Sequence, residues 1–249
     1  DDLYLIKGGP EYRREYLDLY IGQIYPAYRK IYQRYYRALY QRNSALKRIK
    51  KGIKDSSLDA WTFQLVETGS LIVTLRIKVL KRLNLWINEY QKKISGGKEE
   101  IVCYYLGQGA LFEEDDQEII KENLLKAFQE KQRDETQRGY TLVGPHRDDL
   151  SIIINGEGEL RIFGSQGQQR TAALALKMAV VDLIESMEEK APLLLLDDVF
   201  SEFDQQRKKS LLRILMKDKQ TLITTANSRI REEFSPEIRF FKVEGGSIA

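Results

Sequence analysis

The sequence has 249 residues, of which 42% are hydrophobic and 31% charged, and its formal net charge is +3. A chain of this length can bury a sizeable core and form more than one lobe. Because no run approaches the roughly 18 apolar residues of a membrane span and no charged-then-apolar leader opens the chain, we expect a cytoplasmic protein without membrane contact. Cys103 is the single cysteine, which excludes an internal disulfide or cysteine metal site and predicts a buried strand residue.

A long helix is predicted for residues 12–54. Its tyrosines recur every fourth residue from Tyr28 to Tyr40, a spacing that places them on one helical face. From Tyr28 to Lys54 there are ten basic residues and no acidic one, a pattern typical of a surface that binds a polyanion. A plain amphipathic helix, with packed tyrosines and solvated cations, is the alternative. The candidate residues for sequence-independent binding of duplex DNA are Arg29, Arg34, Arg37, Arg42, Lys47, Arg48, Lys50 and Lys51.

The helical pattern continues to about residue 140. A second helix is predicted for residues 60–93, antiparallel to the first, and Gly96-Gly97 ends the pair. Residues 101–106 are predicted as a strand and residues 117–138 as a third helix. An acidic run precedes that third helix and is expected to cap it; it consists of Glu113, Glu114, Asp115, Asp116 and Glu118.

The pattern changes at about residue 141. Residues 151–155 and 159–163 are predicted to form a hairpin with its turn at Asn155-Gly156, and a helix should follow from Ser165 to about Glu188. Ser165 and Gln168 have the S-x-x-Q spacing of a capping box. A helix N-terminus with a glycine, a hydroxyl and free amides can also bind phosphate.

A continuously apolar run at residues 192–196 predicts a parallel strand covered on both faces, and it ends in Asp197-Asp198. A helix at residues 205–216 and a strand at residues 221–225 complete an α/β alternation, whose ligands collect where the strands end. One aspartate can hold Mg²⁺ while the other orients a water. Alternatively, the two carboxylates only cap the loop.

Four motifs in order resemble the RecF family of SMC/ABC-type ATPases. They are residues 6–18 (IKGGPEYRREYLD), 144–149 (GPHRDD), 165–170 (SQGQQR, similar to the signature loop) and 193–204 (LLLLDDVFSEFD, similar to Walker B and the D-loop). The resemblance implies the C-terminal part of an α/β ABC-type ATPase lobe with a mainly helical inserted lobe. Residues 1–22 would end the first half of the ATPase lobe, 23–140 form the helical lobe, and 141–249 form the second half.

The resemblance also implies roles for individual residues. Asp197 would bind Mg²⁺, Asp198 would act as the catalytic base, and Asp204 would lie in the D-loop. Gln23 would be a lateral glutamine that senses Mg²⁺, unless it is an ordinary surface residue. The loop that reaches the ATP held by another subunit would consist of Ser165, Gln166, Gly167 and Gln168.

The function implied by the resemblance is that of an ATP-driven homodimer that clamps duplex DNA at gaps or single-strand/double-strand junctions and helps RecR to load recombinase. The chain departs from the family pattern in several respects. It contains no G-x-x-x-x-G-K-[ST] motif, so we expect it to bind ATP poorly by itself, and because it begins at Asp1 we expect a preceding segment. The alternative is a non-catalytic fragment that binds DNA or a partner.

Three further departures concern single positions. Asp198 stands where a longer glutamate is common, which fits slow hydrolysis by the complete protein. Ala226-Asn227 stands where many relatives have a switch histidine, a role that Thr224 or Thr225 would have to fill. The only histidine, His146, is expected in a salt-bridged turn that joins the helical lobe to the sheet; contact with nucleotide or DNA is the alternative.

Overall fold

The computed structural model describes residues 2–107, 110–112, 115–187, 192–215, 220–226 and 238–248. Some of the predictions fall outside these ranges. They are the roles of Glu113, Glu114 and Asn227 and the helix ends at Glu188 and Met216.

The first helices are α1 (Tyr4–Lys7), α2 (Pro10–Ile24) and α3 (Pro26–Lys50). The single helix predicted for residues 12–54 is therefore wrong. Tyr25 is extended, with φ −117° and ψ 94°, and separates α2 from α3. The cause is Pro26, since a proline excludes its preceding residue from the helical region but is itself favourable at the first helical position.

Two further helices have the predicted bounds to within two residues. They are α4 (Leu58–Ser95) and α5 (Gln117–Arg138). Gly96 ends α4 in the left-handed conformation, with φ +70°. The carboxylate of Asp116 accepts hydrogen bonds from the amides of Glu118 and Ile119, so this part of the acidic run is confirmed as the cap of α5. Helix α4 packs against α3 and α5.

An antiparallel sheet contains β1 (Ile101–Gly107), β2 (Ala110–Phe112), β3 (Asp149–Ile154) and β4 (Gly158–Glu159), in the order β2-β1-β3-β4. Cys103 lies opposite Ile152 and is buried, as predicted. Because β1 and β3 are adjacent, this sheet crosses the boundary proposed at residue 140.

The hairpin after β3 is only partly as expected. Asn155 and Gly156 have φ values of +52° and +70°, which confirms the turn. The prediction of a second strand at residues 159–163 is wrong beyond Glu159, because Leu160–Phe163 forms a helical turn, α6. This turn is closed by the amide of Gly164, which donates to the carbonyl of Leu160 at 2.9 Å.

The C-terminal part contains α7 (Gln166–Glu185), β5 (Leu194–Asp197), a 3-10 helix (Val199–Glu202), α8 (Gln205–Leu215), β6 (Thr221–Thr224) and a hairpin of β7 (Val243–Glu244) and β8 (Ser247–Ile248). Strands β5 and β6 are parallel, as predicted. The expectation that β5 is covered on both faces is wrong. Leu194 is buried, but Leu195 and Leu222 are 66% and 53% exposed, because in the described residues this sheet has two strands and only one face reaches the core.

One continuous apolar core runs from Leu5 to Leu215, and a small second cluster of Ala45, Leu46 and Leu58 joins the end of α3 to the start of α4. None of the helices in the described ranges has the length and apolar content needed to cross a membrane.

Candidate functional site

The two aspartates lie at the carboxyl end of β5, beside the end of β6. Asp197 is paired with Thr224 across the strands, and the Thr224 hydroxyl donates to Oδ1 of Asp197. The amide of Asp198 donates to the Thr224 carbonyl at 3.1 Å and also lies 3.2 Å from its hydroxyl oxygen. Thr224, one of the two residues considered in place of the switch histidine, therefore contacts both aspartates.

The backbone at Asp198 is left-handed, with φ +46° and ψ +28°. Such a conformation is uncommon outside glycine, although aspartate tolerates it better than most residues. The carbonyl of Asp198 accepts bonds from the amide of Ser201 at 3.2 Å and from its hydroxyl at 2.9 Å. These bonds and the two contacts with Thr224 hold the sharp turn, and both carboxylates remain exposed to solvent.

The oxygen donors at this edge suit Mg²⁺. Within the described residues, no group of three or more His, Cys, Asp or Glu side chains could hold a metal. A magnesium ion bound by Asp197 would therefore need oxygens from phosphate or water, as is usual for this ion in nucleotide sites.

The loop that opens α7 has the predicted capping box. The Gln168 amide lies 3.3 Å from the Ser165 hydroxyl, and the Ser165 amide donates to Oε1 of Gln168 at 2.7 Å. The buried Gln169 connects the start of α7 to α6, because its Nε2 donates to the carbonyls of Leu160 and Gly164. Ser165 and Gln166 are exposed at the surface.

Asp204 caps α8 and is connected to the α7 loop. Its Oδ1 accepts a hydrogen bond from the amide of Arg207 at 2.9 Å, and this bond is the main cause that lowers the pKa of Asp204. The guanidinium of Arg207 donates to the hydroxyl of Thr171 in α7 and, at 2.6 Å, to Oε1 of Glu99. Sequence reasoning missed Arg207; its only local signal is the three-residue spacing from Asp204.

Gln23, the proposed lateral glutamine, lies in the last turn of α2 with an exposed side chain. Its role toward Mg²⁺ stays a prediction.

The basic helix α3 divides its cations between two environments. Lys30, Arg34 and Arg37 are exposed on the face opposite the buried residues. Arg42 is only 1% exposed. It donates to Oε2 of Glu135 at 2.7 Å and to the hydroxyls of Thr62 and Thr141 at 2.8 and 3.0 Å.

The assignment of Arg42 to DNA binding is therefore wrong. Arg42 lies seven residues after Tyr35 and four after Ala38, which places all three on the same side of a helix with 3.6 residues per turn. Both of those residues are fully buried. The apolar period of α3 was thus a signal that could have identified Arg42 as a core residue.

The expected tyrosine face is also different. Tyr28 is buried, whereas Tyr36 and Tyr40 are 37% and 70% exposed. Residues spaced by four advance by about 40° around the helix at each step, because four residues span slightly more than one turn. The rings of Tyr28, Tyr32 and Tyr36 contact one another in sequence, with centroids 6.1 and 4.5 Å apart, and line a groove of about 600 Å³ between α2 and α3.

The other candidate cations are accessible in different degrees. Arg29 lines the groove between α2 and α3, together with Glu11 and Glu15. Arg48 forms a salt bridge with Asp55 at 2.5 Å, and Lys50 donates to the carbonyl of Arg138 at 3.2 Å. Lys47 and Lys51 are exposed.

The segment Gly144–Asp149 joins the helices to the sheet through buried polar contacts. Tyr35 Oη lies 2.6 Å from Nδ1 of His146, and burial, followed by the nearby Arg147 charge, lowers the pKa of His146 to about 4. Gly144 has φ +120°, and a Cβ there would lie 2.4 Å from Tyr35 Oη, so no larger residue fits.

The two aspartates of the segment Gly144–Asp149 also have polar partners. Asp149 pairs with Arg13 at 2.6 Å, and Oδ2 of Asp148 accepts the Tyr105 hydroxyl at 2.6 Å. Arg76 of α4 donates to the carbonyl of Pro145 at 2.8 Å. These buried contacts favour the interpretation of His146 as part of a salt-bridged turn that joins the helices to the sheet, over contact with nucleotide or DNA.

The chain is similar to RecF proteins in both sequence and fold. RecF proteins described as DNA replication and repair proteins, from Bacillus thuringiensis (strain Al Hakam) and Bacillus cereus (strain B4264), are 40% identical over 251 residues, which is 100% of this chain and 67% of each relative. A solved structure of the recombination mediator protein RecF with ATP, from the RecFOR pathway, is 33% identical with a TM-score of 0.83 over 100% of this chain and 65% of that one. No protein-family model matches.

A second solved structure, RecF with ATPrS, has the same identity and TM-score over 99% of this chain. The chain thus spans about two thirds of the length of the proteins it matches, 67% of the curated relatives and 65% of the solved chains. Because the likeness covers the whole chain in both sequence and fold, the chain belongs to the RecF family of DNA replication and repair proteins.

Proposed function

We propose that the complete protein is a slow Mg²⁺-dependent ATPase whose ATP-driven homodimer holds duplex DNA at gaps or single-strand/double-strand junctions. The observation that carries the proposal is the cluster of Asp197, Asp198 and Thr224 at the ends of two parallel strands. Both carboxylates face solvent at the edge where α/β sheets bind ligands. The solved structure of a RecF with ATP supports the choice of nucleotide.

In this proposal Asp197 binds the metal and Asp198 orients the attacking water. Bound Mg²⁺ supplies the positive charge that stabilises the phosphoryl oxygens. Thr224 fixes the position of Asp197 through its hydroxyl and the position of Asp198 through its carbonyl. Because the aspartate side chain is one methylene shorter than that of glutamate, the Asp198 carboxylate would reach less far toward an attacking water, which fits slow turnover.

The signature-like loop would act on the nucleotide of the other subunit. Ser165, Gln166, Gly167 and Gln168 open α7, whose N-terminal amides favour an anion. The Ser165 hydroxyl accepts a bond from the Gln168 amide, and its own O–H group can therefore still donate to a phosphate oxygen. Asp204 would lie at the same interface between subunits.

The DNA surface is assigned to the exposed cations of α3 and of the turn that follows it. Lys30, Arg34 and Arg37 form one exposed stripe. It is extended by Lys47, Arg48, Lys50 and Lys51, of which Arg48 is paired with Asp55 and Lys50 with the carbonyl of Arg138. Such cations contact phosphates without reading bases. The proposal that the protein helps RecR to load recombinase is supported by the solved RecF structures, which are described as part of the RecFOR pathway.

A second candidate function is a non-catalytic fragment that binds DNA or a partner protein. It is favoured by the absence of a G-x-x-x-x-G-K-[ST] motif from these 249 residues, because that loop is the main cradle of the β- and γ-phosphates.

Substitution of the two aspartates distinguishes the candidates. In the complete protein, Asp198→Asn should retain ATP binding and lose turnover by about a hundredfold or more, since it removes a general base, whereas Asp197→Asn should also weaken Mg²⁺-dependent binding. The control is Asp59→Asn, an exposed aspartate at the start of α4. Full hydrolysis by Asp198→Asn would remove this residue from the base role. A parent protein that neither binds nor hydrolyses ATP would favour the non-catalytic candidate.

A further inference from the structure

Arg207 lies at a junction of three chain segments. Its amide and side chain contact Asp204 at the start of α8, its guanidinium contacts Thr171 in α7, and both of its terminal nitrogens contact Glu99 before β1. The side chain is only 14% exposed. We refer to Arg207, Asp204, Thr171 and Glu99 as the Arg207 joint.

The joint continues directly to the signature-like loop. Thr171 is fully buried, and its hydroxyl donates to the carbonyl of Gly167 at 2.9 Å. A Cβ placed on Gly167 would lie 3.8 to 3.9 Å from the guanidinium of Arg207, so this group lies directly against the loop. The guanidinium thus lies beside the turn at Gly167 and is linked through the Thr171 hydroxyl to the Gly167 carbonyl.

The joint is also anchored to the end of α4. Oε2 of Glu99 accepts a bond from Nε2 of the buried Gln91 at 2.7 Å, and the Glu99 amide donates to the Ser95 hydroxyl at 3.2 Å. Glu99 is 6% exposed. A carboxylate in this position needs a charged, hydrogen-bonded partner, because an unpaired buried charge is strongly unfavourable. Arg207 provides that partner and is held in one orientation by it.

We infer that Arg207 is a positioning residue that fixes the signature-like loop relative to Asp204, so that both reach the subunit interface in a single geometry. A guanidinium has five donors in a rigid plane, which allows it to contact a carboxylate in two places and a hydroxyl at the same time. Lysine retains the charge but cannot make all of these bonds. The geometry of the joint is observed in this chain alone. Its expected consequence, an effect on dimer formation, rests on the proposed function.

The first test uses this chain without nucleotide and measures hydrogen exchange of the amides of residues 168–171, the first protected ones of α7. Arg207→Lys should accelerate their exchange by about tenfold, the loss expected for a charge-assisted hydrogen bond, while the amides of β1 stay unchanged. Arg213→Lys, the same change at an exposed position of α8, is the control. Unchanged exchange in the loop, or equal acceleration throughout the chain, would overturn the inference.

The second test uses the complete protein with ATP and Mg²⁺. Arg207→Lys should raise the ATP concentration needed for dimer formation by about tenfold and leave the affinity of the monomer for nucleotide unchanged. Dimer formation equal to that of Arg213→Lys would contradict the positioning role. If the parent protein forms no dimer with ATP, the proposed function fails, whereas the exchange experiment still decides whether Arg207 orders the loop.

Discussion

At the scale of single residues, Arg42 shows how a charge in a basic segment can belong to the core. Its guanidinium pairs with Glu135, which is 0% exposed, and lies 4.7 Å from the ring centroid of Phe128. The second oxygen of Glu135 accepts the amide of Leu142 at 2.7 Å. The pair therefore connects α3 and α5 to the segment that leads into β3.

Removal of one partner of this pair should destabilise the fold. Arg42→Met should lower the free energy of unfolding by about 3 to 5 kcal/mol, because it leaves the Glu135 carboxylate buried without a counter-charge. Arg37→Met, on the exposed face of the same helix, should change it by no more than about 0.5 kcal/mol. Urea unfolding of both variants measures the difference. Equal stabilities would show that the buried pair contributes nothing to folding.

His146 predicts a specific pH dependence of stability. Its pKa is about 4 in the fold and about 6.5 in the unfolded chain, so the unfolded chain binds the proton more tightly. The contribution of neutral His146 is therefore complete above pH 6.5 and is lost as the pH falls toward 4. It amounts to about 3.5 kcal/mol at most, since the pKa values differ by about 2.5 units and one pKa unit corresponds to about 1.4 kcal/mol.

The measurement compares urea unfolding of the parent and of His146→Gln at pH 7.5 and pH 5. The parent should lose more stability than the variant over this interval. Because the chain has one histidine, its imidazole resonance also reports the pKa directly. Titration near pH 6.5 in the folded protein would contradict the buried contact with Tyr35.

At the scale of elements, the exposed stripe of α3 is expected to bind phosphates. Reversal of Lys30, Arg34 and Arg37 to Glu changes the charge by two units at each of three exposed sites and leaves the buried face intact. The slope of log K against log salt concentration for duplex DNA should fall by roughly two to three. This decrease should be equal on unrelated sequences, because phosphate contacts carry no base information.

The matched control reverses Lys126, Lys131 and Arg133 on α5, three exposed cations outside the basic segment. If the α3 variant and this control have the same affinity and slope as the parent, the stripe of α3 is merely solvated. If the α3 variant retains DNA binding but no longer associates with RecR, its arginines contact the partner protein instead.

The elements that were predicted correctly have local causes. Helix α5 has Asp116 and Gly139 at its two ends, and α4 ends at Gly96, so caps readable in the sequence define their bounds. Two errors come from competing local signals. Pro26 divides residues 12–54, which the residue pattern predicts as a single helix, and the alternation at residues 159–163 is too short to distinguish a strand from a helical turn.

The candidate site was predictable only in part, for a related reason. The end of an apolar strand marks Asp197 and Asp198, and the S-x-x-Q spacing marks Ser165, so both features are local in the sequence. Contacts between distant segments have no such signal. The bond between Arg207 and Glu99 joins residues 108 positions apart, and that between Arg42 and Glu135 joins residues 93 apart. These two buried pairs therefore became visible only in the structure.

At the scale of the whole molecule, α4 connects the two proposed sites. Its 38 residues span about 57 Å at 1.5 Å per residue. At its start, Leu58 packs on Ala45 and Leu46 of the basic helix. At its end, Gln91 contacts Glu99 of the Arg207 joint. The end of the basic helix and the Arg207 joint are thus attached to opposite ends of α4.

Light scattering of the complete protein with ATP and Mg²⁺ tests the proposal that the signature-like loop closes on ATP held by a second subunit. The parent should change from monomer to dimer when ATP is added. Ser165→Arg should bind nucleotide as the parent monomer does and remain monomeric, because the larger cationic side chain occupies the place of the partner's phosphate. A Ser165→Arg protein that dimerises with ATP as the parent does would show that this loop does not close on the nucleotide of the second subunit.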